Sequence, residues 1–267
     1  MTLKKAFEHH RTRRGGNDNT LVSVIMPMHN AERYIREAVE SVLAQTYEKW
    51  ELLIIDDAST DSSVDIANEY VSADPRIHLL HNPEPIQMPS APRNVGVHAA
   101  RGRYIAFLDS DDVWFPQKLE QQLPLFHDNR TAIVYSNYEK IDDKSIRSNR
   151  IVSSPSSATY NTLLLGNIIG NLTGIYDTHK VGKALIQNIH HEDYGMWLSI
   201  LKQGYIARNT ETTLAAYRET SRSVSSNKLR VTSWQWNIYR NVEHLSLLRS
   251  AYYFMFYAIK ATYKSLI

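Results

Sequence analysis

Two acidic side chains, Asp109 and Asp111, follow a short apolar run in this chain of 267 residues. In an extended segment, residues two positions apart project to the same side, so both carboxylates can face one point. Carboxylate oxygens suit Mg²⁺ or Mn²⁺, which commonly keep further positions for water and phosphate. An ion held there could neutralise a departing diphosphate. Local sequence leaves a solvated acidic turn at the start of the next helix as an equal alternative.

A second acidic pair, Asp56 and Asp57, follows the apolar run 52–55. A carboxylate at the end of a strand can accept a hydrogen bond from an N–H group at a nucleobase edge. It can equally cap the helix that follows, and the local sequence slightly favours this structural role.

Three further charged residues are candidates because of where they stand. Arg93 opens a predicted helix, where its planar guanidinium could pair with a phosphate or with the acids of the first pair. Glu192 and Asp193 begin another helix, where acids often serve only as caps. Either becomes a candidate base only if it faces the metal site, since an acceptor hydroxyl needs a base within hydrogen-bond reach.

Residues 21–112 alternate short apolar runs with amphipathic helices, which is typical of a parallel sheet with helical crossovers. Ligands of such sheets bind at the carboxyl ends of strands, often where the strand order reverses. Polar residues follow three of the predicted strands, at 27–30, 56–57 and 109–112, so we expect one site. The predicted strands are 21–26, 50–55, 77–80 and 104–108, and the main predicted helices are 35–43 and 93–100.

The second half is less regular. The stretch 142–159 holds six serines and no periodicity, which predicts a loop. Together with 218–228, this loop is interpreted as a segment that could close over a bound substrate. The remaining predicted elements are helices at 116–127, 160–165 and 193–202, strands at 132–138 and 214–217, and a helix beyond 242.

Composition restricts the function classes. The formal net charge is only +2, with basic residues concentrated near the two ends, so nucleic acid is not an expected partner. The absence of cysteine excludes disulfides and thiolate sites and is compatible with the cytoplasm. Residues 1–20 carry five basic side chains without an apolar stretch, which indicates a mobile basic arm rather than a secretory signal.

The C-terminal segment 218–267 carries a formal net charge of +6. No stretch of the chain reaches the ~20 apolar residues that span a bilayer. Basic residues interleaved with aromatics suit an anionic membrane surface, and a helix packed on the domain or a dimer contact is the alternative. The residues predicted to share this helical face are Arg249, Tyr253, Tyr257, Lys260 and Lys264.

Six motifs in their order and spacing resemble the family-2 inverting glycosyltransferases of bacterial surface polysaccharide synthesis. The resemblance implies an α/β, A-type glycosyltransferase fold with a Rossmann-like, mostly parallel central sheet and a C-terminal helical extension. It covers 21–220, with a nucleotide-binding half at 21–112, an acceptor-binding half at 113–220 and an extension at 221–267. The motifs are 24–30, Gln45-Thr46-Tyr47, Asp56-Asp57-Ala58-Ser59-Thr60-Asp61, Arg93-Asn94-Val95-Gly96, 102–112 and Glu192-Asp193.

The resemblance also implies roles for individual residues. Asp109 and Asp111 would bind Mn²⁺ or Mg²⁺, and Asp193 would be the catalytic base of a single inverting displacement. The donor would be a nucleotide-sugar, with UDP-sugar expected and guanine or thymine nucleotides left open. The acceptor would be a saccharide hydroxyl, lipid-linked at the cytoplasmic face of the membrane. The implied nucleotide-sugar-binding residues are Pro27, His29, Asn30, Asp56, Asp57, Arg93, Asp109, Ser110 and Glu192.

Three departures from the family pattern affect the donor side. His29 stands where tyrosine is usual, Ala58 replaces a frequent glycine, and Met88-Pro89 occupies a stretch that is often glycine-rich. One alternative is a nucleotidyltransferase, which would need a glycine-rich basic loop after the first strand. A non-catalytic nucleotide-sugar-binding subunit is the other, and the intact acids argue against it.

Overall fold

The computed structural model describes residues 20–85, 88–219 and 228–266, with side chains described over 231–259 in the last of these ranges. Nearly all of the predicted arm and most of the segment 218–228 lie outside the described residues. Ten strands form a single sheet across both predicted halves of the domain. The strands are β1 (Val22–Met28), β2 (Trp50–Asp56), β3 (Ile77–His81), β4 (Tyr104–Phe107), β5 (Val113–Trp114), β6 (Thr131–Ile141), β7 (Arg147–Val152), β8 (Ser157–Ala158), β9 (Ile175–Asp177) and β10 (Ile206–Arg218).

The sheet has the order β3-β2-β1-β4-β9-β6-β10-β5, with β7 paired to β6 and β8 to β10. Strands β1 to β4 are parallel, β9 runs antiparallel to both its neighbours, and β6 and β10 are parallel to each other. The expected α/β fold with a mostly parallel central sheet is confirmed.

The α-helices are α1 (Ile35–Leu43), α2 (Ser63–Ala73), α3 (Ser90–Ala99), α4 (Lys118–Gln122), α5 (Tyr160–Leu163), α6 (Thr178–Val181), α7 (Glu192–Leu201), α8 (Lys228–Asn237) and α9 (Leu247–Leu266).

The central strands are apolar along their length because helices cover both faces of the sheet. Successive side chains point to opposite faces, which divides the core into two layers. Ile25 of β1 packs in one layer with Val97 of α3 and Trp197 of α7. Its neighbour Val24 packs in the other layer with Val39 of α1.

Helix α3 lies unusually close to the sheet at Gly96. A methyl group on Gly96 would lie 2.5 Å from Ile25 Cγ2 and 2.9 Å from Ile55 Cδ1. Only glycine permits this approach, which sets how deeply the first turn of α3 sits and buries Arg93 in that turn.

The prediction of a loop over 142–159 is wrong. Strands β7 and β8 occupy part of it, and β7 pairs antiparallel with β6 through Glu139 and Ile151. Strand β7 is an exposed edge with both faces largely solvated. An edge strand of this kind needs no alternation of apolar and polar residues, so periodicity could not reveal it.

Several predicted boundaries also move. Strand β10 spans thirteen residues rather than the short strand at 214–217, because a bulge near Glu211, which has a φ of 61°, interrupts a polar stretch. Strand β1 continues through Pro27, which pairs with β2 beyond the last residue paired with β4. Helix α3 begins at Ser90 rather than Arg93, and the predicted helix 116–127 is α4 followed by a 3₁₀ turn (Leu123–His127).

The C-terminal extension is helical, as expected. Helix α8 continues into a π-helical turn (Ile238–Val242), and α9 follows. Tyr253 of α9 is buried against the domain and Tyr257 is half-buried, so the predicted basic-aromatic face is not wholly turned to solvent. No helix in the described ranges is long and apolar enough to cross a membrane.

Candidate active site

The strand order reverses between β1 and β4, since β2 and β3 lie on the other side of β1. A reversal of this kind opens a crevice at the carboxyl ends of the strands. The three predicted acidic and polar groups therefore meet at one sheet edge. Met28 is in register with Asp56, and Ile25 is in register with Phe107, two residues before Asp109.

His29 is tied to the acidic loop after β2. Its Nδ1 lies 2.7 Å from the Asp57 carbonyl oxygen and its Nε2 lies 3.1 Å from Asn30 Nδ2. Because an amide nitrogen only donates, Nε2 accepts and Nδ1 carries the proton. The exposed imidazole ring is thereby fixed in orientation, as a flat surface for a nucleobase requires.

The carboxylate of Asp57 is nearly buried, and its Oδ1 accepts a 2.6 Å hydrogen bond from Asn82 Nδ2. Asp56 is buried too, and it accepts from the Ser59 N–H at 3.1 Å and lies 3.3 Å from His81 Nδ1. Asp56 thus shapes the loop, which leaves Asp57 as the acid better placed for a ligand.

Two residues of this region adopt the left-handed backbone conformation. Asn30 has a φ of 49° and Ala58 a φ of 60°. The side-chain oxygen of Asn30 accepts from the Thr60 N–H at 2.8 Å, so Asn30 joins the loop after β1 to the loop after β2. Ala58 has no such compensation, so a glycine would adopt this backbone conformation at lower cost.

Arg93 connects the two predicted halves of the site. Its guanidinium lies 2.5 Å from Asp109 Oδ1 and 2.7 Å from Glu192 Oε1. Burial alone would lower the pKa of Arg93, but the charges of Asp109 and Glu192 raise it above its ordinary value. Arg93 also interacts electrostatically with Asp193. The guanidinium therefore stays charged and holds Asp109, the first acid of the predicted metal motif Asp109-Ser110-Asp111, beside the candidate base Asp193.

The carboxyl groups of Asp111 and Asp112 both have raised pKa values. Burial and then the charge of Asp109 raise the pKa of Asp111 to about 6. Burial and the neighbouring carboxylates raise the pKa of Asp112 well above its ordinary value. A divalent cation would relieve this repulsion, so Asp109 and Asp111 fit the expected metal. Within the described ranges no cluster of three or more His, Asp or Glu residues could hold an ion, so further positions would fall to phosphate oxygens and water.

Asp193 stands at the start of α7, partly exposed. Burial and then the charge of Glu192 raise its pKa to about 6. Asn167 Nδ2 donates a 3.1 Å hydrogen bond to Asp193 Oδ2, which orients the carboxylate. A carboxylate with this pKa is ionised at neutral pH yet basic enough to accept a proton.

Sequence reasoning did not assign a role in the site to Arg218, at the end of β10. Its side chain is fully buried and donates to the Asp111 carbonyl oxygen at 2.7 Å and to Glu37 Oε2 at 2.6 Å. Its backbone N–H donates to Asp112 Oδ1 at 2.9 Å. Arg218 thus holds the segment at Asp111 and Asp112, while Arg93 binds Asp109.

Asn167 and Tyr138 were missed as well. Tyr138 lies near the carboxyl end of β6, within electrostatic range of Asp112 and Asp193, and burial raises its pKa to about 12. Tyr138 and Arg218 stand at the ends of strands parallel to the nucleotide-binding half, which is the signal that could have found them. No local pattern marks Asn167.

The histidine pair before α7 contacts the C-terminal extension. The rings of His190 and Trp234 stack with centroids 4.1 Å apart, and His191 meets Trp234 edge-on at 5.5 Å. His191 has a φ of 60° and forms the N-terminal cap of α7. Helix α8 therefore braces the turn that presents Glu192 and Asp193.

A mostly parallel sheet with acids after two strands and polar residues after a third, joined through one arginine to an acidic helix start, defines an enzyme of the A-type glycosyltransferase fold. Comparison with known proteins agrees. The family model described as glycosyl transferase family 2 matches residues 23–184. The chain therefore belongs to glycosyl transferase family 2, and it is a glycosyltransferase.

Two relatives match nearly the whole chain. A putative teichuronic acid biosynthesis glycosyltransferase of Bacillus subtilis, TuaG, is 38% identical over 94% of this chain and 99% of its own length. The Escherichia coli UDP-Glc:alpha-D-GlcNAc-diphosphoundecaprenol beta-1,3-glucosyltransferase WfgD is 40% identical over 91% of this chain and 94% of its own length. The relatives thus include enzymes of surface polysaccharide synthesis.

Two solved structures share the fold. TarS of S. aureus with UDP-GlcNAc superposes with a TM-score of 0.66 at 19% identity, covering 89% of this chain and 71% of that one. The mannosyltransferase PcManGT of Pyrobaculum calidifontis with GDP-Man and Mn²⁺ gives 0.67 at 17% identity, covering 94% and 75%. At these identities the likeness establishes the fold alone.

Proposed function

We propose that the chain transfers a sugar from a UDP-sugar donor to a hydroxyl of a lipid-linked saccharide, with inversion at the anomeric carbon. The single observation that carries the proposal is Arg93, whose ion pairs to Asp109 and Glu192 bring the metal motif beside Asp193. The other predicted donor-side residues, Pro27, His29, Asn30, Asp56, Asp57 and Ser110, stand at the same sheet edge.

The donor side combines base and phosphate recognition. The His29 ring would lie against the base, and the Asp57 carboxylate, oriented by Asn82, would accept an N–H group of uracil. Asp109 and Asp111 would hold Mn²⁺ or Mg²⁺, which neutralises the charge of the departing diphosphate when bound. The relative WfgD is named as a transferase that uses UDP-Glc, which supports a uridine donor, and PcManGT, which shares the fold, was solved with Mn²⁺.

Asp193 would perform the proton transfer. As the acceptor hydroxyl attacks the anomeric carbon, its proton passes to the Asp193 carboxylate and the bond to the diphosphate oxygen breaks. The hydrogen bond from Asn167 directs one carboxylate oxygen. Burial, and then the charge of Glu192, raise the pKa of Asp193 above that of an exposed carboxylate. General-base catalysis of this kind contributes about 10²- to 10⁴-fold to rate.

The relatives support the proposed class of acceptor. The name of WfgD gives a sugar diphosphoundecaprenol as its acceptor, and TuaG is named for teichuronic acid biosynthesis. An acceptor anchored by a lipid requires the enzyme to work at a membrane surface, so peripheral association at the cytoplasmic face forms part of the proposal.

The test is a donor screen with purified protein. UDP-glucose, UDP-N-acetylglucosamine and GDP-mannose are each incubated with a saccharide-diphosphate acceptor and Mn²⁺, and product is identified by mass spectrometry. Transfer from a UDP-sugar that stops on adding EDTA is expected. Transfer unaffected by EDTA would refute the metal, and donor binding without transfer or hydrolysis would favour a non-catalytic subunit.

A matched pair of variants tests the base. Asp193→Asn should abolish transfer while leaving the Kd for donor nearly unchanged, since Asp193 would contact the acceptor. Asp128→Asn removes a carboxylate that is engaged with Arg208 instead and should keep full activity. Turnover retained in Asp193→Asn would remove Asp193 from the role of base.

A further inference from the structure

One face of helix α9 is apolar and turned to solvent over three turns. Residues 248, 252, 255 and 259 recur at intervals of four, three and four, which places them on one stripe. Scattered exposed apolar residues are ordinary in soluble proteins, whereas a contiguous patch marks a contact surface. The exposed fractions are 63% for Leu247, 84% for Leu248, 54% for Tyr252, 52% for Met255 and 57% for Ile259.

The opposite face of α9 reaches toward the candidate base. Ser250 and Tyr253 are buried against the domain. Tyr257 lies so close that a methyl group on Gly166 would meet its Cδ2 at 3.7 Å. The next residue, Asn167, donates to Asp193. A surface bound to the outer face of α9 would therefore lie one helix away from the acceptor side of the site.

We infer that the apolar stripe at 247, 248, 252, 255 and 259 is the surface that this enzyme lays into an anionic lipid bilayer. The inference rests on the proposed lipid-linked acceptor. It also corrects the face predicted from sequence, because Tyr253 of that face is buried and the stripe lies on the far side of the helix.

Charge favours a bilayer over a second copy of the chain. Residues 228–266 contain six Lys or Arg residues and one acid, Glu243, and Glu243 is buried and bound to Lys202. Arg249 is exposed beside the stripe. Two such segments would repel each other, whereas an anionic leaflet attracts them and accepts the apolar side chains.

The test is flotation of the full chain with vesicles of phosphatidylglycerol and phosphatidylethanolamine, against vesicles of phosphatidylcholine. We expect binding to the anionic vesicles that weakens as salt rises. The double variant Leu248→Asp/Met255→Asp should lower the bound fraction about tenfold. The matched control Ile151→Asp/Leu185→Asp makes the same change at exposed apolar residues elsewhere and should float as the unmodified chain does.

Two further measurements separate this inference from the proposed function. Both double variants should keep full transfer to a water-soluble saccharide diphosphate. If the unmodified chain uses no sugar donor at all, the proposed function is refuted, but the proposed membrane-binding surface is not. Equal flotation of Leu248→Asp/Met255→Asp and the unmodified chain overturns the surface. So does a dimer in sedimentation that the same variant converts to monomer without any vesicle binding.

Discussion

Replacing Asp193 by asparagine should stabilise the protein while abolishing its activity. The pKa of Asp193 rises from 3.8 to about 6 on folding, through burial first and the charge of Glu192 second. One pKa unit corresponds to about 1.4 kcal/mol, so the ionised carboxylate costs the folded state about 3 kcal/mol at neutral pH. Asparagine removes that charge and keeps an oxygen for the Asn167 hydrogen bond.

The pH dependence identifies the cause. The folded state holds the Asp193 proton more tightly than the unfolded state, so the contribution of Asp193 to stability falls as pH rises from 3.8 through about 6. The free-energy cost of the ionised Asp193 carboxylate reaches its full value above that range, and at pH 5 it is about half of that value. The advantage of Asp193→Asn must shrink in the same proportion toward acid.

The assay is urea unfolding of both chains at pH 8 and pH 5. Because residue 193 is partly exposed and an amide there must also lose part of its hydration, we expect a smaller gain of about 1 to 2 kcal/mol at pH 8. The control Asp128→Asn should have the opposite sign, since the Arg130 N–H and Arg208 lower the pKa of Asp128. An Asp193→Asn variant that is no more stable at pH 8, or equally favoured at both pH values, would refute the reasoning.

Three other predictions follow from the site. Arg218→Met removes the hydrogen bond to the Asp111 carbonyl oxygen and should raise the Mn²⁺ concentration for half-maximal turnover about tenfold; an unchanged metal titration would contradict this. Ala58→Gly relieves a φ of 60° and should add about 1 kcal/mol to the free energy of unfolding, measured in urea. The kcat should rise with pH and level off above about 6, because Asp193 must be ionised to accept a proton; a profile that falls over this range would exclude it.

The nucleotide-binding half was predictable because its strands are covered on both faces. Such strands must be apolar throughout, and the helices between them must carry an apolar stripe. The acceptor half lacks this regularity. Strand β7 is an exposed edge and β10 is bulged at Glu211. Neither strand therefore shows a regular alternation of buried and exposed residues in its sequence.

The site was predictable to the same extent. Acids at the ends of β2 and β4 follow directly from the strand pattern, and the start of α7 follows from helix periodicity. Arg218 lies 107 residues from Asp111, to which it donates, and the pairings of β10 with β5 and β6 bring it to that edge. Asn167 acts from a connection of irregular backbone, which no local rule locates.

The structure decides which partner of Arg93 is present, a question that the sequence leaves open. A phosphate and the acids of the metal motif were both credible partners for its guanidinium. In the folded chain the two terminal nitrogens already bind Asp109 and Glu192. The remaining Nε is buried, with no partner among the residues that the structure describes. The Arg93 side chain is only 7% exposed, so a diphosphate that bound it would have to disturb a buried ion pair, which is costly. The geometry therefore favours Arg93 as the residue that positions Asp109 and Glu192 relative to each other, with the charge of the diphosphate balanced elsewhere.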